Sequence, residues 1–312
     1  MGASMPTVHV YRIANRKIGH GHAVRCLALS DALSRQGWQI IVHESMMVKW
    51  VMPGDVNVVD IYDATAKEIL TLRELAPTIN LNDKGSAKWF ANMSFLHTTY
   101  LDSPCPADAP EHEIIAGTEY AILRPEFAAA RKYRRVPTSP PRTVFVAHGG
   151  SDPMRHTEIT LKALERVSTH SRLVSVVLGS EFDRDIECTL PGLTVYRDVS
   201  AETMARLMAQ ADLGICSMGL TTHEACCMGL PTINLCFDEY LIGTARIAEA
   251  KGLLWTCPPE TEVLADAIER HGNSAFHLKL TSHTAMAYVP GRGATLVARD
   301  ITQRFWRRML SC

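Results

Sequence analysis

The chain has 312 residues, room for two domains of ordinary size, and is 46% hydrophobic and 21% charged, the balance of a globular protein and not of a disordered one. A formal net charge of -1 excludes a broadly basic surface for nucleic acid or an acidic membrane, so an anionic ligand must be held by local backbone and a few side chains. No apolar run reaches the ~18 residues of a membrane span. Nine dispersed cysteines without a Cys-x-x-Cys pair, behind an N-terminus lacking a signal pattern, lead us to expect reduced thiols in a cytoplasm.

In chain order, Val8–Arg12 reads as a strand and runs into the loop Ile18-Gly19-His20-Gly21-His22-Ala23-Val24-Arg25. Val24, Leu27, Ala28 and Leu33 then recur at helical spacing, with Gly37 as the stop. Strands follow at Gln39–His43 and Val56–Asp60, a helix at Glu68–Leu75 and a strand at Thr78–Leu81. The stretch from Phe127 to Arg142 carries Arg131, Lys132, Arg134 and Arg135 among prolines. It reads as an interdomain linker, either a solvated connector or one whose arginines face a ligand.

The alternation then restarts. Strands are expected at Thr143–Ala147, Leu173–Leu178, Leu193–Tyr196, Leu213–Cys216 and Pro231–Cys236. Helices are expected at Thr157–Val167, Ala201–Gln210, Thr221–Met228, Thr244–Lys251, Glu262–His271 and Ala294 to Met309. Strands alternating with helices imply parallel pairing and doubly wound sheets, here two α/β domains with a cleft between them.

Three loops carry the chemistry. Glycines let backbone approach a ligand closely, and a helix N-terminus offers unpaired N–H groups and about half a positive charge. In the first loop His20 and His22 lie two apart, so at a helix start they cannot point the same way. A helix N-terminus favours the neutral imidazole, the form able to take a proton from water, and His22, nearest the helix interior, is the favoured base. A metal reading of His20-x-His22 would need further ligands, and no His-Glu-x-x-His or clustered acidic motif is present.

The second loop, His148-Gly149-Gly150-Ser151-Asp152-Pro153, reads as a phosphate cradle in which Ser151 or Asp152 could instead cap the next helix. It lacks the lysine of an NTPase phosphate loop. The third runs from Ser217 to Pro231. Gly219 makes its turn, Thr221 or Thr222 can cap or meet phosphate, and Glu224 is placed either for ribose hydroxyls or as a solvated carboxylate.

Together these elements resemble the PseG family of UDP-2,4-diacetamido-2,4,6-trideoxy-β-L-altropyranose hydrolases, which act in pseudaminic acid synthesis. The resemblance rests on Ile18-Gly19 through Arg25-Cys26, on Tyr120 to Phe127, on Gly149–Pro153 and on Gly219 through Pro231. Gly291–Gly293 with Ala294 matches more weakly, and Asp60-Ile61-Tyr62 corresponds to the family's Asp-His-Tyr.

The resemblance implies the GT-B fold of the MurG glycosyltransferases: an α/β protein with two Rossmann-like doubly wound domains facing a cleft. The first domain would span 1–137 and carry the catalytic loop; the second, 138–312, would bind nucleotide and end in a helix able to return to the first. His22 matches the catalytic base, with Gly19, Gly21 and Arg25 in its loop. Gly149, Gly150, Ser151, Asp152, Gly219 and Thr221 match the nucleotide-phosphate loops and Glu224 the ribose contact. The implied reaction releases UDP from a UDP-sugar with inversion at C1, without metal or cofactor. UDP already leaves readily, so the acidic carboxylate of ordinary glycosidases is not required.

Three positions depart from the family. Its Arg-x-Asp appears as Arg12-Ile13-Ala14, without the acid; its Asn-Gln falls on Tyr240-Leu241; and its Asp-His-Tyr histidine is Ile61. All three concern the sugar side. A transferase in which His22 deprotonates an acceptor hydroxyl, and a non-catalytic nucleotide-sugar binder, therefore stand beside the hydrolase.

Overall fold

The computed structural model describes residues 6–13, 21–45, 55–62, 64–81, 84–167 and 173–306. The chain divides into two compact units, one formed by Met1–Leu123 with Arg292–Cys312, the other by Arg124–Gly291.

The first unit is built on a six-stranded sheet: β1 (Thr7–Arg12), β2 (Gln39–His43), β3 (Val56–Asp60), β4 (Thr78–Asn80), β5 (Met93–Leu96) and β6 (Glu113–Ala116). Its order is β2-β1-β3-β4-β5-β6, and every pairing is parallel. Strand alternation divides the apolar side chains between two faces. Val8, Val10, Val56, Val58, Ile79 and Phe95 pack with Leu29 and Leu33 of α1 (Gly21–Ser34) and with Val297 and Ile301 of the last α-helix, Gly293–Ile301. On the other face Tyr11, Val59 and Ile61 pack with Ile69 and Leu72 of α2 (Ala66–Leu75) and with Trp89 and Phe90.

Helix α2 begins two residues before the predicted Glu68 because Thr65 caps it. The Glu68 N–H donates to Thr65 Oγ1 and the Thr65 N–H to Glu68 Oε2, a reciprocal capping box. Strands β5 and β6, four residues each, were not expected from the sequence; at that length neither shows a resolvable period.

In the second unit α3 (Pro125–Ala130) precedes β7 (Thr143–Ala147), α4 (His156–Arg166), β8 (Leu173–Leu178), β9 (Leu193–Arg197) and α5 (Ala201–Gln210). There follow β10 (Leu213–Ser217), α6 (Leu220–Met228), β11 (Thr232–Leu235), α7 (Glu239–Ala250), β12 (Trp255–Cys257), α8 (Thr261–Gly272) and α9 (Ala275–Tyr288). The sheet runs β12-β11-β10-β7-β8-β9, all parallel. Its core joins Val144, Val146, Val176, Leu213, Ile215 and Ile233 to Leu161, Leu164, Leu264, Ile268 and Leu278 of α4, α8 and α9. Helix α7 starts five residues ahead of the predicted Thr244 because Asp238 caps it, accepting from the Leu241 N–H at 2.7 Å. Helix α9, absent from the sequence reading, is rich in the weak helix formers Thr281, Ser282, His283 and Thr284.

The final helix, α10, is Gly293–Ile301, followed by a π-helical turn at Thr302–Trp306. The predicted end at Met309 lies outside the described residues. No helix among those described is long and apolar enough to cross a membrane.

The basic stretch that read as a linker is tied to the second unit by Arg131 and Arg134, while its Lys132 and Arg135 are exposed as a solvated connector would have them. The Arg131 guanidinium donates to the carbonyls of Met286 and Val289 at the end of α9. Arg134 donates to Gly229, Ala209 and Ala211, the last two at the end of α5. Helix C-termini leave carbonyls unpaired and carry partial negative charge, so cations at those positions act as caps. These contacts place residues 124–137 with the second unit, ahead of the 137/138 boundary read from the sequence.

Candidate functional site

Each sheet changes the direction of strand addition once, between β1 and β3 in the first unit and between β7 and β10 in the second. At such a switch point the connections leave to opposite faces, and the C-terminal strand ends there are where open α/β sheets bind ligands. Among the described residues, His22 and Arg25 lie in the helix after β1, and Gly149 to Asp152 and Gly219 to Glu224 follow β7 and β10.

In the first unit, Asp60 ends β3 beside Arg12 of β1. In the first turn of α1, His22 Nδ1 lies 2.6 Å from Asp60 Oδ1. Arg25, three residues on, spans both oxygens of the same carboxylate, and the Cys26 thiol lies 3.5 Å from Oδ2. Asp60 is fully buried. Burial alone would push its carboxyl up, but the charges of Arg25 and His22 and their hydrogen bonds outweigh this and hold it well below the usual range. The carboxylate can only accept, so in the Asp60 contact His22 Nδ1 is the donor, with Arg25 Nη2 3.1 Å from the same nitrogen. In the neutral ring this tautomer leaves the lone pair on Nε2.

Burial and the Asp60 charge push the Cys26 thiol well up, so it remains an uncharged packing group. Gly21 opens α1, while Gly19, His20 and Ala14 lie outside the described residues. Sequence reasoning noted Asp60 within Asp60-Ile61-Tyr62 but gave it no role. Its signal was its position as a carboxylate ending a strand at a switch point, unreadable before the strand order was known. The departure at Ile61 is a burial matter, since that side chain sits in the apolar cluster with Ile69 and Leu72.

In the second unit, Gly149 follows β7 with φ +84, and a Cβ added there would meet nothing within 4 Å. A Cβ on Gly179 would collide with the backbone of Gly150, so the loop needs glycine on both sides. Ser151 is half-buried in this loop. Asp152 is committed locally: its carboxylate accepts from the N–H groups of His156 and Thr157, each at 2.9 Å. It therefore caps α4 and uses the N–H donors that a phosphate would have taken. Asp152→Ala is expected to cost about 1–2 kcal/mol of stability, read as a lowered denaturation midpoint, with UDP affinity unchanged.

Helix α6 differs, having Gly219 as its N-cap and no side-chain cap. Helix geometry leaves the N–H groups of Leu220 and Thr221 without an intrahelical acceptor, and a Cβ at Gly219 would meet nothing within 4 Å. Thr222 turns inward, its hydroxyl 2.6 Å from Asn234 Oδ1, while Thr221 is half-exposed. Of the two expected cradles, then, α4 is closed by its own aspartate and α6 is open.

Glu224 is 1% exposed, which overturns the solvated reading. Arg124 grips it bidentately, Nε to Oε1 at 2.8 Å and an Nη to Oε2 at 3.0 Å. Burial raises its carboxyl while Arg124 lowers it, burial prevailing. Arg124 lay in the matched Tyr120–Phe127 stretch without a role, and only the fold brings it to a residue 100 positions away. Tyr240 and Leu241 form the first turn of α7. No group of three or more side chains suited to a metal ion exists among the described residues.

No family model matches the chain. It is 32% identical over 145 residues to the uncharacterized protein MJ1062 of Methanocaldococcus jannaschii, covering 40% of this chain and 29% of that one. It is 31% identical over 143 residues to the spore coat polysaccharide biosynthesis protein SpsG of Bacillus subtilis, covering 45% and 42%. The match thus spans less than half the length of either curated relative.

Solved structures align over nearly the whole chain. One is S. aureus MnaA in a co-structure with UDP, with a TM-score of 0.63 at 9% identity, covering 96% of both chains. Another is the UDP-GlcNAc 2-epimerase of Neisseria meningitidis bound to UDP-GlcNAc, with a TM-score of 0.63 at 10% identity, covering 96% of this chain and 100% of that one. Acinetobacter baumannii MurG gives 0.61 at 12% identity, covering 96% and 100%. These likenesses, with two six-stranded parallel sheets, establish the GT-B fold built from two Rossmann-like α/β units.

Proposed function

We propose that the protein is a nucleotide-sugar hydrolase that binds UDP and in which His22 activates water. The observation that carries this reading is the His22–Asp60 pair at 2.6 Å, which leaves Nε2 as an acceptor at a sheet switch point. Nε2 takes a proton from water as its oxygen attacks C1. The C1–O bond to UDP breaks on the opposite face, with inversion, and UDP departs with the electron pair.

The exposed N–H groups that begin α6, with Gly219 and Thr221, stabilise the leaving diphosphate, and Gly149, Gly150 and Ser151 line it. The UDP and UDP-GlcNAc carried by structural neighbours support this ligand class. The motif match to PseG supports a UDP-2,4-diacetamido-2,4,6-trideoxyhexose as substrate and a place in nonulosonate synthesis of the pseudaminic acid type. The polysaccharide setting of SpsG is in keeping with it.

The test is to incubate the protein with that UDP-sugar, with and without candidate acceptors, and follow products by NMR. UDP release without an acceptor, accompanied by the free sugar of inverted anomeric configuration, is expected. Release only in the presence of an acceptor would instead make the protein a transferase, and tight binding without turnover a binding protein.

A further inference from the structure

A buried polar chain in the second unit ends in an atom with no partner. Thr160 Oγ1 of α4 lies 2.9 Å from His148 Nε2. His148 Nδ1 lies 2.9 Å from Ser217 Oγ at the end of β10. Ser217 Oγ lies 2.7 Å from His156 Nδ1, and His156 Nε2 is buried without a hydrogen-bond partner. His156 is 1% exposed, and a buried polar atom left unpaired costs ~1–3 kcal/mol. Such atoms are rare enough to require a reason.

The protons in this chain can be ordered. If Thr160 donates to His148, His148 to Ser217, and Ser217 to His156 Nδ1, every hydroxyl and ring hydrogen up to His156 finds an acceptor. The reverse order leaves the buried Thr160 hydroxyl hydrogen with nowhere to go. With the Ser217 hydrogen kept inside the chain, the forward order is the one that satisfies it, and in that order His156 Nε2 carries a hydrogen. Burial keeps both rings in the neutral form this order requires, pushing His148 well below the usual histidine value and lowering His156 as well.

The chain bridges the ends of β7 and β10, the strands at the switch point. Phe237, just beyond the end of β11, packs its ring edge-on 5.6 Å from His156. Phe237 is itself 45% exposed, so the unpaired N–H stands one ring away from solvent.

We propose that His156 is a ligand-contact residue whose Nε2–H donates to an acceptor oxygen, phosphate or sugar, of the bound nucleotide-sugar. This rests on the nucleotide-sugar reading above. The Thr160–His148–Ser217 relay sets its tautomer, and Phe237 shifts to admit the ligand.

The test is calorimetric binding of inorganic diphosphate, UDP and UDP-GlcNAc to the wild type, His156→Phe and His156→Gln. His156→Phe is expected to weaken binding about tenfold, the worth of one hydrogen bond of ~1.4 kcal/mol, while His156→Gln, which keeps an N–H donor, holds most of the affinity. Weakening already seen with diphosphate assigns the contact to phosphate; weakening confined to UDP-GlcNAc assigns it to the sugar. Unchanged affinity in His156→Phe overturns the contact and leaves the nucleotide-sugar reading intact. His156-dependent binding of diphosphate by a protein that ignores UDP keeps the contact and removes that reading, and a wild type that binds none of the three removes both. Should the variants fold poorly, the ring 15N signals of wild-type His156 decide: Nε2 must be the protonated nitrogen and must shift when the ligand binds.

Discussion

His22→Ala is expected to lower release of UDP from the UDP-sugar by about 10²–10⁴-fold, the usual worth of a positioned general base, without changing affinity for UDP. The split follows from where the groups sit. His22 belongs to the first unit, whereas the open helix start at Gly219 and Thr221 and the Gly149–Ser151 loop belong to the second. A kcat effect with little change in KM is the signature of a group that acts only in the transition state. Small bases such as imidazole, added to His22→Ala, are expected to restore part of the rate. Full activity in His22→Ala would sink the assignment of this residue as the base.

Asp60→Asn is expected to damage both activity and stability. The carboxylate fixes the His22 tautomer through a 2.6 Å contact, and an amide can offer its N–H to Nδ1 instead. That would turn Nε2 into a donor, with a loss in kcat of roughly 10²–10⁴-fold. The same change leaves the Arg25 guanidinium, only 12% exposed, without its counter-charge. Breaking a buried ion pair from one side costs about 3–5 kcal/mol, which for a domain of this size lowers Tm by on the order of 10 °C.

The pH dependence has a definite sign. The folded-state carboxyl is depressed, so its stabilisation is present above the unfolded carboxylate value near ~3.9 and is lost as pH falls below it. The Tm gap between wild type and Asp60→Asn should therefore narrow in acid. A gap that stays constant down to strongly acidic pH would show that Asp60 contributes nothing by its charge. His22→Ala, which keeps the Asp60–Arg25 pair, should melt close to wild type, separating the catalytic from the structural effect.

Much of the molecule was legible in the sequence, unevenly. Gln39–His43, Val56–Asp60, Thr143–Ala147, Leu173–Leu178 and Ala201–Gln210 were read with the observed boundaries, because each has a clear run of β-branched residues or a strong helical period. The two-unit α/β architecture followed from their alternation. The elements missed include β5, β6, β12, α3 and α9, three short strands, a helix of six residues and a helix of weak formers, whose formation depends on neighbours that bury them.

Within the candidate site, the sequence by itself marked where glycines precede helix starts, because that chemistry is local. It could not say which partner each polar side chain would take. Asp60 and His22 are 38 residues apart, Arg124 and Glu224 100 apart, and His148 and Ser217 69 apart. Only the strand order brings these together. It gave His22 its carboxylate, buried Glu224 against an arginine, and turned the basic stretch at Arg131–Arg134 into caps for two helices. It also divided the two expected phosphate cradles, because Asp152 folds back onto α4 while nothing caps α6. Whether a polar group faces ligand, solvent or its own helix is a matter of long-range packing, and tertiary structure alone decided it.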